Sequence, residues 1–447
     1  MDQTISIAKK RIDSIDILRG IIMIIMALDH VRDFFHLGAM TSDPTDPATT
    51  TPILFFTRWI THFCAPIFVF LAGTSAFLTA TKRTKKEMSV FLLKRGVWLM
   101  LVDIIIFNLL FSFNPFYHAI FVQVLWVTGV SMVILAACIY LPLSVIFITG
   151  LVLVAGHNML DTFNSGPNTP TPVWWAFLHQ QNFVEYSKGH FFGVFYPLIP
   201  WPGIMMLGYC LGSLFVKGYD PAKRRSKLLG FGISAVIVFF VLRFINVYGD
   251  LRPWATQKDT TATILSYFNV TKYPPSLLYC CMTIGPGLIM LAWLEKVKAG
   301  WTNIAVIYGR VPMFYYLVHF FCIHLLCVIL FFATGRPMSE AATGMMAFHP
   351  NDFGFSLGIV YLIWILLVAG LYPLCKKYSI YKAFIKIVFL FLNRKLFSVN
   401  FMISQRFNSL SKKAVVITSS PIVSTHSFGD LLVVMPIDTF LCIALIK

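Results

Sequence analysis

The stretch RIDSIDILRGIIMIIMALDHVRDFFH, residues 11–36, decides the fold. A basic start leads to Arg19-Gly20, an apolar run follows, and the run closes on Asp29-His30. Such a run matches the ~20 helical residues that cross a bilayer. Asp, His and Arg are costly in hydrocarbon, so a membrane helix carrying them is a candidate functional helix with a scaffold around it.

Outward from this helix, the composition agrees. Of 447 residues 57% are hydrophobic and only 12% charged, whereas soluble domains are about 25% charged. The apolar surface must therefore face lipid. Continuous rather than alternating runs exclude a β-barrel, leaving an all-α, polytopic integral membrane bundle. About ten runs reach spanning length, near 15–37, 53–80, 90–112, 117–138, 140–157, 196–217, 228–248, 275–294, 304–333 and 354–375. The first lacks a small-residue cleavage site, so it reads as a retained span and not a signal peptide.

The formal charge of +17 is placed as a topology signal. Lys9, Lys10 and Arg11 precede the first run. Lys82, Arg83, Lys85, Lys86, Lys94 and Arg95 follow the second. Lys217 and Lys223–Lys227 follow the sixth, Lys296 and Lys298 the eighth, Lys376 and Lys377 the tenth. These alternate connections share one side, the cytoplasmic one, which puts both termini inside; the expected location is the cell inner membrane, as a multi-pass protein. The opposite connections, near 38–52, 158–195, 249–274 and 334–353, are longer and poor in Lys, and long loops commonly carry or cover function. Residues 1–14 form a cytoplasmic N-terminus, 15–378 the membrane domain, and 379–447 an atypical tail with no assigned function.

Several classes are excluded. No aromatic-basic interleaving suits stacked bases, so no nucleic acid partner is expected. The nine Cys are scattered without a CxxC pair and read as packing residues, not disulfides or zinc ligands; no metal is expected. No P-loop, HExxH, GxSxG or GxGxxG in strand context is present.

Of the eleven His, His36, His118, His157, His179, His190 and His349 fall in or beside outer connections, where amphipathic aromatic residues collect in any case. His30, His319 and His324 lie within apolar runs and carry more weight. On the first span, Arg19 and His30 share a face about 16 Å apart along the axis, with Met23 and Met26 between them. Asp16 can pair with Arg19, Arg32 with Asp29, and Asp33, one turn after His30, can hold its ring N–H. An imidazole near neutrality beside a carboxylate suits a general base or a transient acyl acceptor. Snorkelling of Arg19 and a helix simply ending at the headgroups is the plainer alternative.

On the second span, Arg58 and His62 precede Pro66, which predicts a kink, and His62 is placed to face His30. The ninth span opens with Arg310 and carries Tyr315, Tyr316, His319 and His324; it would line a cavity with the first span or pack as an aromatic core. Asp103, Asn108, Arg243 and Asn246 are weaker signals that line a cavity or pair with neighbours.

Arg11–Gly20 through Met26–His30, Phe56–Gly73 and Gly309–His319 resemble a bacterial membrane-protein family related to the lysosomal heparan-alpha-glucosaminide N-acetyltransferase, within the transmembrane acyltransferases. The resemblance covers roughly residues 10–378. In the related O-acyltransferase branch an Arg, ten residues and a His share the first span, and Arg19 and His30 have that spacing. The resemblance implies acyl transfer from cytoplasmic acetyl-CoA, as acyl donor, to a carbohydrate-like amine or hydroxyl across the membrane. It implies Arg19 and Arg310 on the cofactor, and His30 as base or acyl acceptor with Asp29, Asp33, His62 or His36 around it. Arg58, Tyr316, His319 and His324 would meet the acceptor, and a homodimer is a possible assembly. A proton-coupled or small-solute transporter is the rival reading, since intramembrane Asp, His and Arg also suit a proton relay; a catalytically inert scaffold is the third.

Overall fold

The computed structural model describes residues 13–163, 171–297, 299–342 and 346–411, with side chains to residue 385. Lys9–Arg11, His426 and the segment 431–446 therefore lie outside the described residues. The chain divides after Leu371 into two compact units, and the account below concerns the first.

Fifteen α-helices are described. In order they are α1 Asp13–Phe35, α2 Pro52–Thr61, α3 Cys64–Ala80, α4 Lys85–Leu101, α5 Asn108–Ser112, α6 Val124–Cys138, α7 Leu143–Gly156 and α8 Val173–Leu178. Then follow α9 Trp201–Leu211, α10 Pro221–Ile245, α11 Thr260–Phe268, α12 Leu277–Leu294, α13 Gly300–Arg310, α14 Pro312–Ala333 and α15 Leu357–Ser411. Among the described residues six segments are long and apolar enough to cross a membrane: Pro52–Ala80, Leu143–Leu160, Pro221–Ile245, Leu277–Leu294, Pro312–Ala333 and Leu357–Ile385. Val124–Cys138 and Trp201–Phe215 are apolar but shorter. Large apolar side chains such as Ile148, Val152, Ile237 and Phe244 are exposed, as lipid-facing surfaces require.

The fold is mostly helical, as expected, but also carries a small sheet that the all-α expectation did not include. Three strands, β1 Ala119–Val122, β2 Asn182–Ser187 and β3 His190–Val194, form one sheet of order β1-β3-β2. β1 runs parallel to β3 and β2 antiparallel to it. The segment 117–138 is thus a strand before it is a helix. Asn108 clamps this turn by acting as a backbone surrogate: it donates to the Phe121 carbonyl at 2.9 Å and accepts from the Phe121 amide at 2.7 Å. Asp103 accepts from the Gln123 amide at 2.7 Å, at the start of α6. A π-helical turn, Val102–Phe107, separates α4 from α5 and carries Asp103.

Two other expected spans are interrupted, each by proline. The 304–333 run breaks at Val311 into α13 and α14, since Pro312 disfavours helical geometry in the residue before it and is favoured at the first helical position. The 53–80 run breaks between α2 and α3, just ahead of Pro66. Pro66 has no N–H for the His62 carbonyl, and the Tyr279 hydroxyl donates there instead, at 2.7 Å.

Helix pairs meet through glycine, which lets backbones approach closely where apolar lipid gives no hydrophobic drive to association. A methyl at Gly20 would overlap the Ala305 carbonyl, and one at Gly309 the Asp16 carbonyl, so α1 and α13 pack nearly backbone to backbone. Gly73 and Gly208 do the same for α3 against α9, and Gly96 and Gly129 for α4 against α6. Trp364, at the start of α15, donates to the Ile24 carbonyl of α1 at 2.9 Å.

These contacts predict that Gly309→Leu lowers stability by about 1–3 kcal/mol or more, the cost of overpacking. Gly230→Leu, at a site with nothing within 4 Å, should leave the thermal midpoint of the detergent-solubilised protein near that of the parent.

Candidate active site

The α1 helix carries two polar clusters, one at each end. At its start Arg19 donates to Asp16 at 3.1 Å, to Ser75 Oγ of α3 at 2.7 Å and to the Gly309 carbonyl of α13 at 3.2 Å. Arg310 reaches Asp13 at 3.6 Å and Asp16 at 3.9 Å. Arg19 therefore ties three helices together, and Arg310 joins that network.

At the other end Asp29, largely buried, is met by three cations. Arg32 donates to it at 3.2 Å, Arg58 of α2 binds both its oxygens, and Lys272 Nζ lies 3.7 Å from Oδ2. Arg32 also donates to Asp33 at 2.6 Å. Asp33 thus serves Arg32 and not the His30 ring, contrary to expectation.

His30 instead pairs with His319 of α14, Nδ1 to Nε2 at 2.7 Å. His319 Nδ1 lies 2.8 Å from the Tyr315 carbonyl, which can only accept, so Nδ1 carries the hydrogen. For neutral rings the rest follows: His319 Nε2 holds a lone pair and accepts from His30 Nδ1–H, and His30 Nε2 holds a lone pair of its own. Phe320 packs against His30 with ring centroids 4.2 Å apart, and Tyr316 meets it edge-on at 6.1 Å.

Beside these groups lies a cavity of about 110 Å³. Asp29, His30, Thr61, Gln123, Tyr196, Lys272 and Tyr316 line its polar part, and Met23, Met26, Leu99 and Met132 are among its apolar walls. A second void of about 150 Å³ is lined by Arg19, Ser75, Thr79 and Arg95. Phe68, Ala72, Arg95, Met132 and Pro312 line both, so the two adjoin along the Arg19–His30 face of α1.

Other sequence candidates lie elsewhere. His62 is buried with its ring 5.4 Å from that of Tyr279, and does not line the cavity. His36 is held through its backbone beside Phe355. His324 lies within hydrogen-bond distance of two backbone carbonyls, Leu110 and Ala347, each at 2.9 Å, and stacks on Phe113; it ties α14 to its surroundings. Outside the spans, His349 Nε2 donates to the Phe34 carbonyl at 3.0 Å, and burial pushes its pKa below the usual value. Arg58 faces Asp29 and does not line the cavity.

Sequence reasoning missed Lys272, Tyr196, Gln123 and the cavity position of Arg95. Lys272 is set by its loop: Asp250 accepts from the Thr271 amide, the Thr271 hydroxyl and the Ser276 hydroxyl at 2.9, 2.8 and 2.6 Å. Upstream, buried Arg243 donates to the carbonyls of Tyr267, Arg252, Ser266 and Asn269. Among the described residues no group of three or more His, Cys, Asp or Glu is disposed to hold a metal.

Among the described residues, six apolar helices of spanning length define a multi-pass membrane protein, with a cavity between its helices that is apolar in most of its lining and polar beside Asp29 and His30. The catalytic family described as heparan-alpha-glucosaminide N-acetyltransferase matches residues 11–249, more than half of the chain, and the chain belongs to that family of membrane N-acetyltransferases. No curated protein matches the chain. The matched region holds Asp29, His30 and Arg58, while Lys272 and His319 lie beyond it.

The ion cluster predicts that Asp29→Asn costs about 3–5 kcal/mol, because buried cations lose their counter-charge. Adding Arg58→Met should recover part of that loss, as read in a double-mutant cycle of thermal or denaturant unfolding.

Proposed function

We propose that the protein is an integral membrane acetyltransferase that moves an acetyl group from cytoplasmic acetyl-CoA to the amine of a glucosaminide-like sugar on the other side. The family supports the reaction type, and its description supports the acceptor class. The observation that carries the reading is His30: a cavity-lining imidazole whose Nδ1–H is committed to His319, leaving Nε2 as the basic nitrogen. The acceptor amine loses its proton to Nε2 as it attacks the thioester carbon, and the CoA thiolate leaves with that proton. A neutral His319 fixes the tautomer, as an orienting group does in catalytic pairs.

The donor arm fits the path from the Arg95 end, past Met132 and Met26, toward His30. Arg95 is exposed and lines both voids, which suits the CoA phosphates. Arg19, already engaged with Asp16, Ser75 and Gly309, holds the helix that presents His30. This reading needs the ten crossings and cytoplasmic termini of the charge pattern, and residence in the cell inner membrane. The transport reading is not favoured by the family.

The decisive experiment is acetyl transfer by purified protein in liposomes, with acetyl-CoA on the side of Arg95 and an amino sugar opposite. His30→Ala should lose about 10²–10⁴-fold in kcat, the usual worth of a general base. Activity in His30→Ala equal to wild type, or solute uptake without CoA release, would sink the proposal. His319→Gln, which keeps an acceptor for Nδ1–H, should retain more activity than His319→Leu at equal folded yield. For the topology, a cysteine placed at Lys85 should react with impermeant reagent only from the cytoplasmic side, and one at Lys188 only from the other.

A further inference from the structure

We propose that Lys272 is the oxyanion donor of the acetyl transfer, its ammonium holding the negative charge that forms on the thioester oxygen beside His30. The inference rests on the acetyltransferase reading above.

Three observations carry it. Lys272 lines the cavity that His30 lines. Its side chain is only 10% exposed, and its one ion-pair partner, Asp29 Oδ2, is at 3.7 Å, beyond hydrogen-bond reach. The ammonium also lies over the Tyr273 ring, 5.1 Å from its centroid, but among the described residues it makes no side-chain hydrogen bond, so its N–H donors remain available to a ligand. The Asp29 oxygens are taken by Arg32 and Arg58, and Arg32 also covers Asp33. Three cations thus face two carboxylates, and the surplus positive charge rests on the member that borders the cavity.

A nearly dry ammonium with unspent donors gains little from a neutral thioester and much from an oxyanion. That difference between ground and transition state is what accelerates a reaction. Reorganisation is small, because Asp250 fixes both sides of the Thr271–Ser276 turn and Arg243 fixes the loop behind it.

The step balances within the site. The amine nitrogen bonds to the carbonyl carbon, the carbonyl electron pair moves onto oxygen, and the amine proton passes to His30 Nε2. Collapse restores C=O, breaks C–S and releases the thiolate, which takes the proton from His30. Lys272 forms no covalent bond and keeps its protons throughout.

The test compares wild type, Lys272→Met and Lys272→Cys in liposomes with acetyl-CoA and glucosamine, alongside CoA binding by calorimetry. Lys272→Met should lose about 10²–10³-fold in kcat, as for removal of an oxyanion donor, with CoA affinity and KM for acetyl-CoA little changed. Alkylating Lys272→Cys with 2-bromoethylamine rebuilds an ammonium and should restore kcat; wild type treated alike is the control, and this arm decides the matter if Lys272→Met fails to fold. Near-wild-type kcat in Lys272→Met, a loss confined to KM, or no recovery in a folded, CoA-binding aminoethylated variant would overturn the role of Lys272 alone. Absence of acetyl transfer in wild type would overturn the acetyltransferase reading itself, and this role with it.

Discussion

Asp29 is the constraint on which the rest of the structure depends. A carboxylate at the deep end of an apolar helix must be paired, because an isolated buried charge is untenable. Its partners come from three places: Arg32 on its own helix, Arg58 on α2 and Lys272 from the connection ahead of α12. One side chain therefore fixes where α1, α2 and that connection meet. Because His30 is the next residue, the same ion cluster fixes where the imidazole stands. Buried ion clusters are weak sources of net stability, and their use here is geometric: they specify one arrangement among many apolar packings of similar energy.

The same accounting governs the backbone. In lipid, a carbonyl or amide that loses its helical partner has no water to turn to. Where the chain departs from regular helix, side chains take over at several places. The Tyr279 hydroxyl serves the His62 carbonyl orphaned by Pro66, Asn108 serves both backbone groups of Phe121, and Arg243 serves four carbonyls of the 249–274 connection. These bonds satisfy the backbone where the chain leaves helical geometry.

Much of this was legible in sequence, and what was not has a common cause. The apolar runs, the polar face of α1 with Met23 and Met26 between Arg19 and His30, and the break near Pro66 are local patterns within one segment. The pairing of His30 with His319 joins residues 289 apart, and Lys272 reaches Asp29 from a loop, so neither leaves a periodic trace. Asp33, one turn from His30, was the reasonable partner by helix spacing, yet Arg32 captured it: a permanently charged guanidinium forms the stronger charge-assisted bond to a carboxylate. Arg19 was legible as an important cation, but its use as a tie between α1, α3 and α13 depends on Gly309 and Ser75 being brought to it. Arg95, read only as a topology charge, owes its place at the cavity to the α4–α6 contact at Gly96 and Gly129.

The choice of a second imidazole as the partner of His30 follows from the charge already present. A carboxylate on Nδ1 would orient the ring, but it would also draw on the cations that Asp29 requires and favour a charged imidazolium in the resting site. His319 orients the ring without adding charge, because its own hydrogen is spent on the Tyr315 carbonyl. The site thus separates two duties that a catalytic carboxylate usually combines. Orientation falls to the hydrogen bonds that run from His30 through His319 to the Tyr315 carbonyl, and electrostatics falls to the ion cluster around the neighbouring Asp29. With the two separated, Lys272 can stand at the cavity wall without being neutralised by the group that positions His30.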